Sequence, residues 1–273
     1  MKIYWLLFTQ IQSFQFPSNF VDLYRWKRFH RKVSKVVLNH PVVTENTYTK
    51  EFSKGNMSLK EQAIFVQQFS VFSQLFLVAQ LLKIINSPTQ TEMRDGKEIL
   101  CNELGVAFNS NGSIQDGTYS HTSAHFEWLL DVGKALHLNY DDLGKRYHGS
   151  KSTLYLCDEL SRLYGSSYDT TAIAASYAIE NWAQAGFWDE LVEGFRKINK
   201  KRKDNHQVPL PLGFWTFHSK LEKEHARHTE EELKSVYLSN RIKDEELFLY
   251  NCEEMLDAIQ IFWSGLEKTS TLY

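Results

Sequence analysis

Apolar residues recur at three- and four-residue steps along most of this chain, the period of an α-helix with one buried face. The spacing predicts a helix over 19–38, where Phe20, Leu23, Tyr24, Val33 and Val37 stand among basic residues and Pro41 marks a stop just beyond. A long helix over 58–85 follows, with Phe65, Phe69, Phe72, Leu75 and Phe76 on its apolar face and Pro88 past its end. Its start, Ser58-Leu59-Lys60-Glu61, has the form of a capping box, in which hydroxyl and carboxylate satisfy free backbone N–H groups. A third helix is predicted over 91–104, a Gly/Asn/Ser-rich loop over 108–117, helix again over 121–138, and shorter helical pieces over 141–147 and 152–164. The stretch 169–199 is long and apolar, and 200–205 reads as a basic turn closed by Pro209 and Pro211. Helices over 214–239 and 243–267 complete the pattern. With no strand alternation and no repeat of 20–50 residues, the fold class implied is all-α, a bundle of about seven helices.

Composition narrows the class. The chain has 273 residues, with 31 Lys and Arg against 33 Asp and Glu, a net charge of −2. That balance argues against a nucleic-acid module, which needs a basic excess. At 42% hydrophobic and 23% charged the chain is globular rather than disordered, and residues 19–273 read as one helical domain behind an N-terminal extension, 1–18. In that extension Lys2 precedes an apolar run of only six residues, 3–8, with no small-residue cleavage site, so a packed terminal segment or a start codon placed upstream is expected rather than a signal peptide. No run approaches the ~18 apolar residues of a membrane span, and none is expected. Cys101, Cys157 and Cys252 are odd in number and form no CxxC, which excludes a disulfide framework or zinc–thiolate site and points to a cytoplasmic protein. Aromatic residues make up 14%, enough for a thick helical core or an apolar pocket.

Three segments carry candidate chemistry. In 213–225, at about 100° per residue, His218, Glu222 and His225 fall near 0°, about 40° and about −20° on one narrow helix face. Two imidazoles and a carboxylate there form a metal half-site suited to Fe(II), Mn(II) or Zn(II); the competing reading is a solvated face, since Lys220, Lys223, Glu224 and Arg227 share the helix. Glu180 sits within a strongly apolar helix, where a buried carboxylate is costly unless a cation offsets it; rotation to solvent is the alternative. Glu103, followed across the loop by His121 and His125, offers a further carboxylate and one or two imidazoles. Together these groups fit a dimetal site in a bundle core, although the Glu-x-x-His pairs of ferritin-like proteins are missing at Glu103 and Glu180.

At these residues the sequence resembles the haem-oxygenase-like di-metal oxidases and oxygenases, CADD-like proteins among them, with TenA and PqqC as relatives of the same fold. Glu103 in "NELG" matches the first Glu of that pattern, His125-Phe126-Glu127 its His-x-Glu, Glu180 in "YAIEN" its third-segment Glu, and His218, Glu222 and His225 its C-terminal motif. The resemblance runs from about Leu23 to Val236. Glu222 departs from it by standing where Asp is usual, a long loop is inserted between Glu103 and His125, which leaves His121 as a rival ligand, and His137 replaces a usual Gly.

The resemblance implies a haem-oxygenase-like bundle and O2 activation at a non-haem di-iron centre. Two Fe, or Mn, would be held by Glu103, His125, Glu180, His218, Glu222 and His225, with Glu103 and Glu180 as the catalytic carboxylates. The substrate implied is a small carboxylate- or amine-bearing metabolite, undergoing oxidative cleavage, N-oxygenation or hydroxylation in a pocket lined by Tyr177, Trp128 and Trp215. A homodimer and an external reductant are expected on the same ground. The alternatives are a metal-independent enzyme of TenA or PqqC type, which in the hydrolytic case needs a cysteine nucleophile in its pocket, and a non-catalytic binding protein on the same scaffold.

Overall fold

The computed structural model describes residues 20–107, 109 and 113–270, with the backbone alone described at 20, 21, 221–228 and 270. The expected extension 1–18 lies outside the described residues. Among those described, eleven α-helices follow in order: α1 (Phe20–Leu38), α2 (Pro41–Thr44), α3 (Thr47–Phe52), α4 (Leu59–Asn86), α5 (Gln90–Glu103), α6 (His125–Ala135), α7 (Lys151–Glu159), α8 (Asp169–Gln184), α9 (Phe187–Asp204), α10 (Gly213–Leu238) and α11 (Glu245–Ser270). Seven of them, α1, α4, α5, α8, α9, α10 and α11, have fourteen residues or more and carry the all-α bundle. The described residues form no strand, only a single antiparallel bridge, Val106 to Tyr119.

Local chemistry explains the boundaries. The Ser58 capping box is formed: the Glu61 N–H donates to Ser58 Oγ at 3.3 Å and the Ser58 N–H to Glu61 Oε2 at 2.7 Å. Such a cap stabilises a helix start by about 1 kcal/mol. Pro41 does more than stop α1, since it opens α2, where proline's missing N–H costs nothing. The predicted helix over 169–199 breaks into α8 and α9 at Gly186, whose φ of 107° only glycine adopts readily. Of the predicted turn over 200–205, residues 200–204 form the last turn of α9 and only Asn205 stands in the turn beyond it; cations are favoured there by the negative end of the helix dipole.

An aromatic core holds the helices together. Trp215 on α10 is fully buried and stacks on Phe65 of α4 at 5.4 Å and Phe195 of α9 at 5.0 Å. Gln68 of α4 is buried but fully used: its amide donates to the His148 carbonyl at 2.8 Å, and its oxygen accepts from the Ser150 N–H at 2.7 Å and Thr153 Oγ1 at 2.8 Å. The start of α7 is thereby pinned to the centre of the bundle. The expectation of no membrane-spanning segment needs one correction: α4 is long and apolar enough to cross a membrane, because its glutamines interrupt the apolar run without lowering its average much. In this fold α4 packs against α5, α6 and α7 as a core helix.

Candidate metal centre

Glu103 is the last residue of α5, and His125 the first of α6. Twenty-one residues separate them, yet the chain returns. Gly105 takes φ 104°, the Ser120 N–H donates to the Gly105 carbonyl at 3.0 Å, and the Val106–Tyr119 bridge closes the base of the loop. A Cβ at Gly105 would stand 2.3 Å from the Ser120 carbonyl oxygen, so the close approach requires glycine. The predicted helix over 121–138 accordingly starts later, at His125, after a 3₁₀ turn over His121–Ser123. His121 is exposed on that turn while His125 is 2% exposed, which makes His125 the inward imidazole.

From the facing side α10 supplies His218. One ligand atom from each of Glu103, His125 and His218 lies within 4.8 Å of the other two. His125 Nδ1 is 2.8 Å from Glu103 Oε2. This is proximity without hydrogen-bond geometry, for Nδ1 is buried and has no hydrogen-bond partner. A buried imidazole nitrogen left in that state is costly, and a cation shared with the neighbouring carboxylate would relieve it. Bonds of ~2.1 Å to a metal place neighbouring donor atoms roughly 3 to 3.5 Å apart; the His125–Glu103 pair at 2.8 Å lies just under that range, and the His218 donor falls within 4.8 Å of both. Two imidazoles and a carboxylate therefore fit a first-row divalent ion.

The imidazoles are held in place by their surroundings. His218 Nδ1 lies 2.7 Å from the Phe214 carbonyl oxygen, which can only accept. Nδ1 therefore carries the proton, and Nε2 of the neutral ring keeps its lone pair for a metal. Trp188 stacks on the His218 ring at 4.8 Å, and Trp128 on the His125 ring at 5.1 Å. The two histidine rings meet edge to face at 5.0 Å.

Beside this group opens a cavity of about 100 Å³, whose wall includes Glu103, Glu180 and His218 among apolar side chains, Phe72, Phe76 and Trp188 included. Glu180 is thus brought to the same cavity without joining the three-ligand group. The side chains of Glu222 and His225 lie outside the described residues, although the backbone of α10 runs through both as helix. Of the aromatic residues expected to line a pocket, Trp128 packs on His125 and Trp215 in the core; neither they nor Tyr177 lines this cavity, which takes Trp182 and Trp188 instead. The sulfurs of Cys157 and Cys252 are buried away from it, and burial pushes the Cys157 thiol up to about 12 and the Cys252 thiol up as well.

The cation anticipated near Glu180 has a counterpart that the sequence pattern did not single out. Lys83 of α4 donates to Ser176 Oγ at 2.8 Å, one helical turn before Glu180, and its ammonium stands 4.7 Å from the Tyr164 ring centre. Burial pushes the Lys83 ammonium down, but Tyr164, Glu232 and Glu180 together hold it above its ordinary range. Burial raises the Glu232 carboxyl in spite of Lys83. The available signal was a lone lysine three residues after Gln80 and seven after Phe76, on the apolar face of α4.

No protein-family model matches the chain, and no curated protein matches it in sequence. Solved structures do match. A domain of unknown function with a haem oxygenase-like fold from Shewanella denitrificans OS217 superposes with a TM-score of 0.60 at 16% identity, over 90% of this chain and 93% of that one. A CADD-like protein of unknown function from Nostoc punctiforme PCC 73102 gives a TM-score of 0.60 at 16% identity, over 90% of this chain and 99% of that one. A second structure of that protein gives 0.57 at 17% identity, over 91% and 96%. The chain has the haem oxygenase-like fold.

Proposed function

We propose that this protein is a metal-dependent oxidoreductase that activates O2 at non-haem iron and oxidises a small metabolite bearing a carboxylate or amine. The observation that carries the reading is the convergence of Glu103, His125 and His218 on one point at the wall of an apolar cavity. Iron held there would supply one-electron redox chemistry and open positions for O2. The chain's own residues do the rest. Glu103 and the two imidazoles hold the ion, the Phe214 carbonyl fixes the His218 tautomer, and Trp128 and Trp188 lock the ring planes. Phe72, Phe76 and Phe214 keep the cavity dry, which strengthens each electrostatic contact inside it.

In the two-iron form of the proposal, Glu180, Glu222 and His225 would help hold a second ion, which would supply a further redox-active centre. The CADD-like and haem oxygenase-like structures supply the scaffold for this reading, not the activity. Anaerobic loading with Fe(II), followed by O2 in the presence of carboxylates and amino acids, tests it. The expected result is a transient visible band with O2 uptake; loaded protein that changes neither absorbance nor O2 concentration contradicts it.

A further inference from the structure

A second concavity lies at the far end of the bundle. It measures about 660 Å³ and is formed by the C-terminal ends of α6 and α9, the start of α4 and the turn before it. Its wall carries Lys134, His137, Lys201, Arg202 and His206 and no Asp or Glu. In a chain of net charge −2 that lining is one-sided. The helix dipoles bring some negative potential here, since two helices point their C-termini at the site. Roughly half a charge from each does not cancel three permanent cations and two imidazoles.

Arg202 is half-buried and the other four groups are exposed; two details set this cluster apart from an ordinary basic surface. The first concerns the cations. Arg202 donates through Nε to the Val208 carbonyl at 2.8 Å and through Nη2 to the Ala135 carbonyl at 3.2 Å, which fixes the guanidinium plane across the joint between α6 and α9. Lys201 donates to the Gly55 carbonyl and to Asn56 Oδ1, both at 2.8 Å. These partners are neutral oxygens, which orient the cations without neutralising them. Lys134 is the exception, with Asp131 3.6 Å away on the exposed side.

The second detail is the backbone. His137 and His206 each occupy the position just past a helix C-terminus, with φ of 64° and 57°. Their chain ends close by the usual glycine pattern: Leu138 N–H to Gly133 O at 2.9 Å for α6, and Gln207 N–H to Arg202 O at 2.8 Å for α9. Histidine in the left-handed region costs about 1–2 kcal/mol that glycine does not. Both helices accept that strain, and both imidazoles line the same cavity. The same close ends α10 at Asn240, φ 62°, so the geometry alone is an ordinary helix stop; what is particular here is that both residues are histidines and both face one basic cavity.

We propose that this cavity binds a small phosphate-bearing anion, with Arg202 and Lys201 as the charge anchors and His137 and His206 as hydrogen-bonding walls. Its volume falls in the range of small-molecule sites. It is set apart from the metal centre: α6 runs about 15 Å from His125 to Ala135, and α9 about 21 Å from Trp188 to Arg202, at 1.5 Å per residue. The two helices that carry these end groups also carry His125 and Trp188, so an anion bound at one end grips the frame of the other. The inference stands on these residues alone and does not depend on metal binding.

Titration calorimetry of the full chain with inorganic phosphate, pyrophosphate and glycerol 3-phosphate tests it. One site per chain is expected for at least one of the three, and which of them binds separates a free phosphate from a phosphate ester. Arg202→Gln is expected to weaken binding at least tenfold. Because Arg202 also ties α6 to α9, a second variant is decisive: His137→Gly with His206→Gly relieves the backbone strain, so it is expected to melt at the wild-type temperature or higher yet bind at least fivefold more weakly. Absence of binding at millimolar concentration for all three anions, or binding unchanged in the double glycine variant, overturns the proposal.

Discussion

Substituting Gly105 by Ala is expected to disable metal binding without unfolding the protein. Gly105 is buried at φ 104°, and a Cβ there would meet the Ser120 carbonyl oxygen at 2.3 Å and the Ala124 nitrogen at 3.1 Å. Both contacts are backbone, so neither can swing aside as a side chain would. A non-glycine residue in this region costs about 1–3 kcal/mol. Loss of the Ser120 N–H to Gly105 O bond adds about 1 kcal/mol. Ala124 directly precedes His125, so the displacement reaches the ligand itself. The loop base contributes little to the aromatic core, and the cheaper response is to open there. Metal binding must then close it again at about 2–4 kcal/mol, which lowers affinity about 30- to 1000-fold. Competition between the protein and a fluorescent chelator for Co(II) or anaerobic Fe(II), run beside a circular-dichroism melt, measures both quantities. A Gly105→Ala protein that melts near the wild-type temperature and binds metal with wild-type affinity would refute the reasoning.

Other consequences follow from the same geometry. Neighbouring groups hold Lys83 above its ordinary pKa, so it contributes stability that is complete below about pH 10.5 and is lost as pH rises through its folded-state value. Burial pushes the Tyr164 hydroxyl up and acts in the same direction above pH 10. The thermal midpoint is therefore expected to fall as pH rises above about 10, and Lys83→Met to make that fall shallower; an equal slope in the variant would argue against the assignment. Burial also keeps Cys157 and Cys252 protonated at neutral pH. Mass spectrometry after iodoacetamide treatment of native protein should find both unmodified and the O2-dependent activity retained, whereas rapid alkylation with loss of activity would favour a thiol-dependent hydrolytic relative.

The helical architecture was legible because it rests on local rules. The Ser58–Glu61 capping box and the phenylalanine spacing of α4 each follow from a few adjacent residues. What stayed hidden depended on groups distant in sequence. Gly186 breaks a helix whose apolar pattern runs on unbroken, and 200–204 stays helical because its cations suit a helix end. The choice between His121 and His125 turned on how a loop closes through Gly105, which spacing alone cannot show. That Glu103, His125 and His218 share one site was suggested by their donor types and by the family pattern, because the three lie on separate helices and spacing along the chain cannot join them. Lys83 went unremarked because its partners, Ser176, Tyr164 and Glu232, come from three distant segments. The histidine replacing a usual glycine at 137 was visible in the sequence, but its counterpart at 206, and the shared cavity, required the fold.

The most direct test of the central claim is metal content. Protein loaded anaerobically with Fe(II), freed of excess by gel filtration and analysed by mass spectrometry for bound metal, is expected to retain iron. Glu103→Ala, His125→Ala and His218→Ala, each still helical, should lose the ion at this site. Iron absent from the wild-type chain, or retained in equal amount by all three variants, would contradict the account.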